Sequence, residues 1–201
     1  LVGEKKSVSE IMHEVIKDKV FYKQSGGGLT ISGGEPTLQF DFTLNLLKKA
    51  KQEGIHTCLD TCGVGSSKNF MKLIPYVDIF LWDVKDTNAK RLQKNTGASL
   101  QNIINNLKAT DAAGGKTILR CIIIKNVNLE QKHLDNIKRI YQKLNNCLGI
   151  KLLPYHQLGD SKLNKLGLIN DKHNEWLPSE KEINDVKRQF ASQNNPSDYW
   201  G

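Results

Sequence analysis

Residues 25–39 read SGGGLTISGGEPTLQ. A short β-prone run, Leu29-Thr30-Ile31, lies between two glycine clusters. The first cluster turns the chain. The second, Ser32-Gly33-Gly34-Glu35-Pro36, opens at the C-terminal end of the expected strand, Leu29–Ser32. Two adjacent glycines permit positive φ and let a ligand approach bare backbone. Glu35 sets a carboxylate beside that backbone, and Pro36 fixes the exit. Carbonyls and a carboxylate suit an ammonium group. A phosphate loop would place Lys and Ser or Thr after its glycine, whereas Gly34 is followed by Glu35. The stretch therefore predicts a strand that ends in a pocket for a cationic amine.

Working outward, the pattern is a helix followed by repeated strand–helix units. Ser7 and Glu10 form a capping box for a helix running to Gln24, with Ile11, Met12, Val15, Ile16, Val20 and Phe21 as its apolar face. Helices are expected over Phe42 to Glu53 and Lys68 to Ile74. Others follow the Ser99 cap, span Glu130 to Leu144, and follow the Ser179/Glu182 cap. Strands are expected at Ile55–Asp60, Asp78–Val84, Thr117–Lys125 and Ile150–Leu153. The unbroken apolar run IFLWDV suggests burial on both faces, as in a parallel sheet. The expected fold is α/β: a partial (β/α) barrel of parallel strands with outer helices, in a single domain over 1–201. Residues 157–178 read as a long loop and 194–201 as a frayed tail.

At 201 residues the chain suffices for one sizeable core. No run approaches the ~20 apolar residues of a membrane span. The N-terminus lacks the apolar core of a signal peptide. No membrane and a cytoplasmic location are the resulting expectations. The net charge of +8 comes from scattered Lys residues without an aromatic-plus-basic motif, which argues against a nucleic-acid partner. Cys58, Cys62, Cys121 and Cys147 show no CxxC spacing, and Cys58 falls within an expected strand. They read as small buried apolar residues rather than as a cluster site.

In barrels of this kind the site lies at the C-terminal ends of the strands. Glu35, Asp60, Asp83, Lys85, Arg120 and His156 fall there. Asp60, the Thr61 hydroxyl and Asp83 offer hard oxygens for a cation, and each Asp alone would equally serve as a helix cap. Lys85 shares a strand face with Asp83 and would either neutralise a carboxylate or be solvated. Arg120 points either outward or into the barrel, where it would need a carboxylate or a cofactor group.

The segments SGGGLTISGGEP, GIHTCLDTCG (54–63), WDVK (82–85) and LLPYH (152–156) together resemble the radical S-adenosylmethionine activating enzymes of glycyl radical enzymes, the pyruvate formate-lyase activating enzyme family. The resemblance runs from about Ser7 to His156. It implies a radical S-adenosylmethionine barrel whose first strand and CxxxCxxC cluster loop lie upstream, so that the chain is the C-terminal portion of a longer polypeptide. It implies S-adenosylmethionine bound by Ser32, Gly33, Gly34, Glu35, Asp83, Lys85, Arg120 and His156. Asp83 and Lys85 would meet the amino-acid end, and His156 the nucleoside end. Asp60, Thr61 and Asp83 would surround a monovalent cation. It further implies a 4Fe–4S cluster, a 5′-deoxyadenosyl radical, a glycyl radical enzyme as protein substrate and a flavodoxin- or ferredoxin-type electron donor. No catalytic residue lies in this chain under that reading, and residues 1–201 alone would be inactive. The competing readings are a non-catalytic cofactor-binding module and another α/β-barrel enzyme that binds a nucleotide or phosphate at Gly26-Gly27-Gly28.

Overall fold

The computed structural model describes residues 4–157 and 173–191. Five parallel strands form one sheet in sequence order: β1 (Gly28–Ile31), β2 (His56–Thr61), β3 (Ile79–Val84), β4 (Thr117–Ile123) and β5 (Cys147–Pro154). Each pairs with the next, in registers such as Leu29↔Thr57, Asp60↔Leu81, Asp83↔Arg120 and Arg120↔Lys151. Strands that run parallel need crossovers, and helices supply them. The helices are α1 (Val8–Lys17), α2 (Lys19–Ser25), α3 (Phe40–Gln52), α4 (Ser67–Leu73), α5 (Ala89–Thr96), α6 (Leu100–Ala112), α7 (Gln131–Tyr141) and α8 (Glu180–Phe190). Capping boxes start α1 and α8 at Ser7 and Ser179.

Side chains alternate along each strand, so each strand has two unlike faces. Leu59, Phe80, Trp82, Leu119, Cys121 and Ile123 point one way and pack with Leu47, Phe70, Leu73, Leu107 and Ile137 of the helices. The opposite face carries a small cluster of Cys58, Ile79, Leu81 and Ile118, drawn from strands alone. The helices thus cover one side of the sheet and leave the other bare, as the wall of a partial barrel requires. Among the described residues β1 pairs only with β2 and forms one edge. Among the described residues no helix is long and apolar enough to cross a membrane.

Several elements depart from the sequence expectation. The N-terminal helix breaks at Asp18, whose N–H turns back to Val15 and Ile16. Met12, Ile11 and Val15 pack against α3, and Tyr22 joins them from α2. Val20 and Phe21 do not continue the apolar face, being 63% and 66% exposed. Helix α5 was not foreseen. β5 begins three residues before Ile150, across a register shift opposite Thr117/Ile118. At the end of the expected loop, Asn174–Trp176 forms a 3-10 turn. There Trp176 meets Tyr155 edge-on, with ring centroids 5.7 Å apart. The remainder of that loop and the 194–201 tail lie outside the described residues.

Candidate cofactor site

Asp60, Asp83 and Arg120 share the bare face near the C-terminal ends of β2, β3 and β4. The guanidinium of Arg120 lies 2.7 Å from Asp60 Oδ1 and 2.7 Å from Asp83 Oδ1. Ser32 donates to the other Asp60 oxygen at 2.9 Å. Burial opposes the charge on Arg120. Asp83 and then Asp60 outweigh that burial and hold its pKa above the ordinary guanidinium value. Arg120 thus points inward and finds the carboxylates that an inward position demands.

This geometry engages the residues of the expected cation cage otherwise. The guanidinium fills the space between Asp60 and Asp83. Thr61 follows Asp60 by one residue, so the alternation of the strand turns it to the other face. There it is buried and donates to Glu35 Oε1 at 2.8 Å. The three residues do not converge.

Glu35 ties the loop after β1 to the loop after β2. Its Oε1 accepts from Thr61 and Thr37, and its Oε2 accepts from the Cys62 N–H at 2.8 Å and the Cys62 thiol at 3.0 Å. With the carboxylate so engaged, the backbone of Gly33 and Gly34 is what this loop offers a ligand. Burial, and then the bond to Glu35, push the Cys62 thiol up to about 11. The second loop is fixed from below as well. Gly63 has φ +75°, and a Cβ there would overlap the buried Trp82 ring. Buried Asn106 of α6 donates to the carbonyls of Gly63 (2.8 Å) and Gly65 (3.0 Å).

These loops enclose a cavity of about 410 Å³, within the size range of ordinary ligand sites. Gly33, Gly34, Glu35, Cys62, Asp83, Lys85 and Asp86 line its polar part. The segment after β3 is held in place by three groups. Asn128 donates to the Lys85 carbonyl at 3.1 Å. Arg91 grips the buried Asp86 through two nitrogens. Buried His133 accepts the Thr87 N–H on Nδ1 at 3.2 Å, and burial lowers its pKa.

The structure therefore brings Gly33, Gly34, Glu35, Asp83 and Lys85 to one cavity, with Ser32, Asp60 and Arg120 in an ionic network that shares Asp83. His156 follows β5, is exposed and does not line this cavity. Beyond β4, Asn126 adopts φ +59°, a left-handed conformation that Asn tolerates and that closes the turn without Gly. Gly26, Gly27 and Gly28 line a separate space at the opposite end of β1, beside His56, Asp78 and Lys116, and apart from the cavity at the C-terminal strand ends. Among the described residues no group of three or more His, Cys, Asp or Glu side chains is placed to hold a metal ion, and the four cysteines are free. Sequence reasoning missed Thr37, Asp86, Arg91, Asn106, Asn128 and His133. Asn106 and His133 sit within helices whose pattern shows only burial. Asn88, the N-cap of α5, and Gly97, its C-cap, were signals that could have led to Arg91.

Comparison with known proteins agrees with this architecture. Residues 2–137 match the Radical SAM superfamily. The chain is similar to the trans-4-hydroxy-L-proline dehydratase activating enzyme of Clostridioides difficile, with 35% identity over 96% of this chain and 65% of that protein. It is similar to the pyruvate formate-lyase-activating enzyme of Clostridium pasteurianum, with 32% identity over 83% of this chain and 69% of that protein. Across five such curated relatives the chain spans 52–69% of their length. The fold is similar to the crystal structure of a domain of pyruvate-formate lyase-activating enzyme from Bacteroides vulgatus. The TM-score is 0.68 at 23% identity, over 83% of this chain and 94% of that one.

Proposed function

The chain belongs to the radical SAM superfamily, and within it to the activating enzymes of glycyl radical enzymes; from that premise we propose that it holds the amino-acid end of S-adenosylmethionine between β1 and β3 and serves to install a glycyl radical on a partner enzyme. The observation that carries this reading is the meeting of Gly33, Gly34, Asp83 and Lys85 on one cavity at the C-terminal ends of those strands. Backbone carbonyls of the glycine loop accept from the cofactor's ammonium group. Lys85 neutralises its carboxylate, and Asn128 fixes the Lys85 backbone. Asp83, held by Arg120, presents its remaining acceptor capacity toward the same end. When bound and cleaved with one electron from the donor, releasing methionine, the cofactor would supply a carbon radical able to take a hydrogen atom from a glycine Cα.

The 4Fe–4S cluster that the superfamily implies does not fit the described residues. Cys58 lies on the bare face, Cys62 is bound to Glu35, and Cys121 and Cys147 sit on other strands. No step is therefore derived through it. The reading includes a flavodoxin- or ferredoxin-type electron donor. It also includes weak cofactor binding without cleavage by residues 1–201 alone. Titration calorimetry with S-adenosylmethionine tests the site. Lys85→Met should weaken binding about tenfold, the loss of one charge-assisted bond. Equal affinity in the wild type, Lys85→Met and Asp83→Asn would overturn the assignment.

A further inference from the structure

The cavity of about 410 Å³ has two unlike ends. Its polar end meets the glycine loop and Lys85. Its other end runs toward α5 and α6 and is lined by Leu92, Ala98, Leu100 and Ile103, with Leu38 and Val64 beside it. We propose that this apolar end is a subsite for an aliphatic side chain of the protein segment that carries the target glycine. The proposal rests on the reading above, since it takes the polar end as the place of the cofactor.

The lining chemistry selects the occupant. A purine buries ring nitrogens and an amino group, and each such group left unpaired in an apolar wall is unfavourable. Among the described residues Thr96 is the one hydroxyl at this end, and it is already engaged. It donates to the Leu92 carbonyl at 2.8 Å and accepts the Ala98 N–H at 3.2 Å. An aliphatic side chain asks for no such partner. The direction of the sheet agrees. His156 follows β5, whereas the recess lies on the β1–β3 side. If the nucleoside end meets His156, as the family resemblance implies, the cofactor's base is led away from the recess.

Leu38 marks the entrance. It stands on the 3-10 turn Pro36–Gln39, lines the cavity and is 77% exposed, while Leu92 and Ile103 behind it are buried. An exposed leucine at the lip of an apolar recess gains contact when an extended segment lies across it. Such a segment, with one aliphatic side chain in the recess, passes beside Gly33 and Gly34. The subsite thus sets the register of the target glycine against the cofactor.

The test uses the full-length protein, reconstituted anaerobically, with S-adenosylmethionine present. Two dye-labelled, blocked heptapeptides serve as probes. Each has a central glycine, with either leucine or serine two positions before and two after it. Fluorescence anisotropy should show the leucine probe binding roughly tenfold tighter than the serine probe. Leu38→Ser and Leu100→Ser should reduce that preference to about threefold or less and leave cofactor affinity within about twofold. Leu38→Ser alters an exposed side chain, so its readout does not depend on core stability. Equal binding of both probes to the wild type would overturn the proposal. So would variants that weaken the cofactor and spare the leucine preference, because the recess would then belong to the cofactor. Failure of the wild type to bind S-adenosylmethionine would instead remove the functional reading, while the probe preference measured without cofactor still reports on the recess.

Discussion

On the helix-covered face of the sheet, Leu59, Phe80, Trp82 and Leu119 are fully buried among apolar side chains. One position along the same strands, on the bare face, stand Asp60, Asp83 and Arg120, joined by an ionic network. The two faces are interleaved in sequence and separated in space. A register slip of one residue would exchange them, so the apolar set fixes where the charged set must point. The contrast shows a division of labour. Packing against helices holds one face, and the other carries the polar chemistry beside a small apolar cluster of its own.

The sharpest way to break this comparison is to remove Trp82, which is buried against Phe70 and under Gly63. Trp82→Ala should lower unfolding free energy by about 3–5 kcal/mol in urea titrations. Arg120→Met should cost less, about 1–3 kcal/mol, because its partners are about a fifth exposed and water relieves part of their repulsion. The triple change Arg120→Met, Asp60→Asn, Asp83→Asn should recover most of that loss. If Arg120→Met destabilises as much as Trp82→Ala, the ionic network supports the sheet as strongly as the helix-covered core and the division fails.

Asn106→Ala probes the link between the faces, since Asn106 rises from α6 to hold Gly63 and Gly65. It should cost about 1–2 kcal/mol. Amide exchange should quicken at residues 62–65 first; uniform quickening along β2 and β3 would show a general loss of packing instead. The smallest effect concerns Cys62. Its thiol is raised from an ordinary value of 9.0 to about 11, so it is protonated at pH 8. Iodoacetamide labelling should be slow there and climb with pH toward about 11. Glu35→Gln should speed it. A labelling rate that levels off near pH 9 would show that neither burial nor Glu35 holds the thiol.

Much of this was legible because the signals are local. SGGEP follows a strand, and Asp60 and Asp83 lie next to last in theirs, near the strand ends the sequence pattern predicts. Helix α5 escaped because AKRLQKNT buries one apolar residue, Leu92, and so has no periodicity to read. Its Asn88 cap and the left-handed Gly97 were present as signals. The break at Asp18 escaped for the opposite reason, since the apolar spacing runs on through it.

The sequence by itself determined the parallel strand–helix order, the residue types at the strand ends and the family resemblance, all of which depend on short-range pattern. Only the tertiary structure decided which of those residues meet. Arg120 lies between Asp60 and Asp83 because β4 pairs with β3 in the register that sets Asp83 beside Arg120. Glu35 spends its carboxylate on Thr61 and Cys62 because β1 and β2 end side by side. Contacts between residues far apart in the chain follow from register and packing, and no local pattern encodes them.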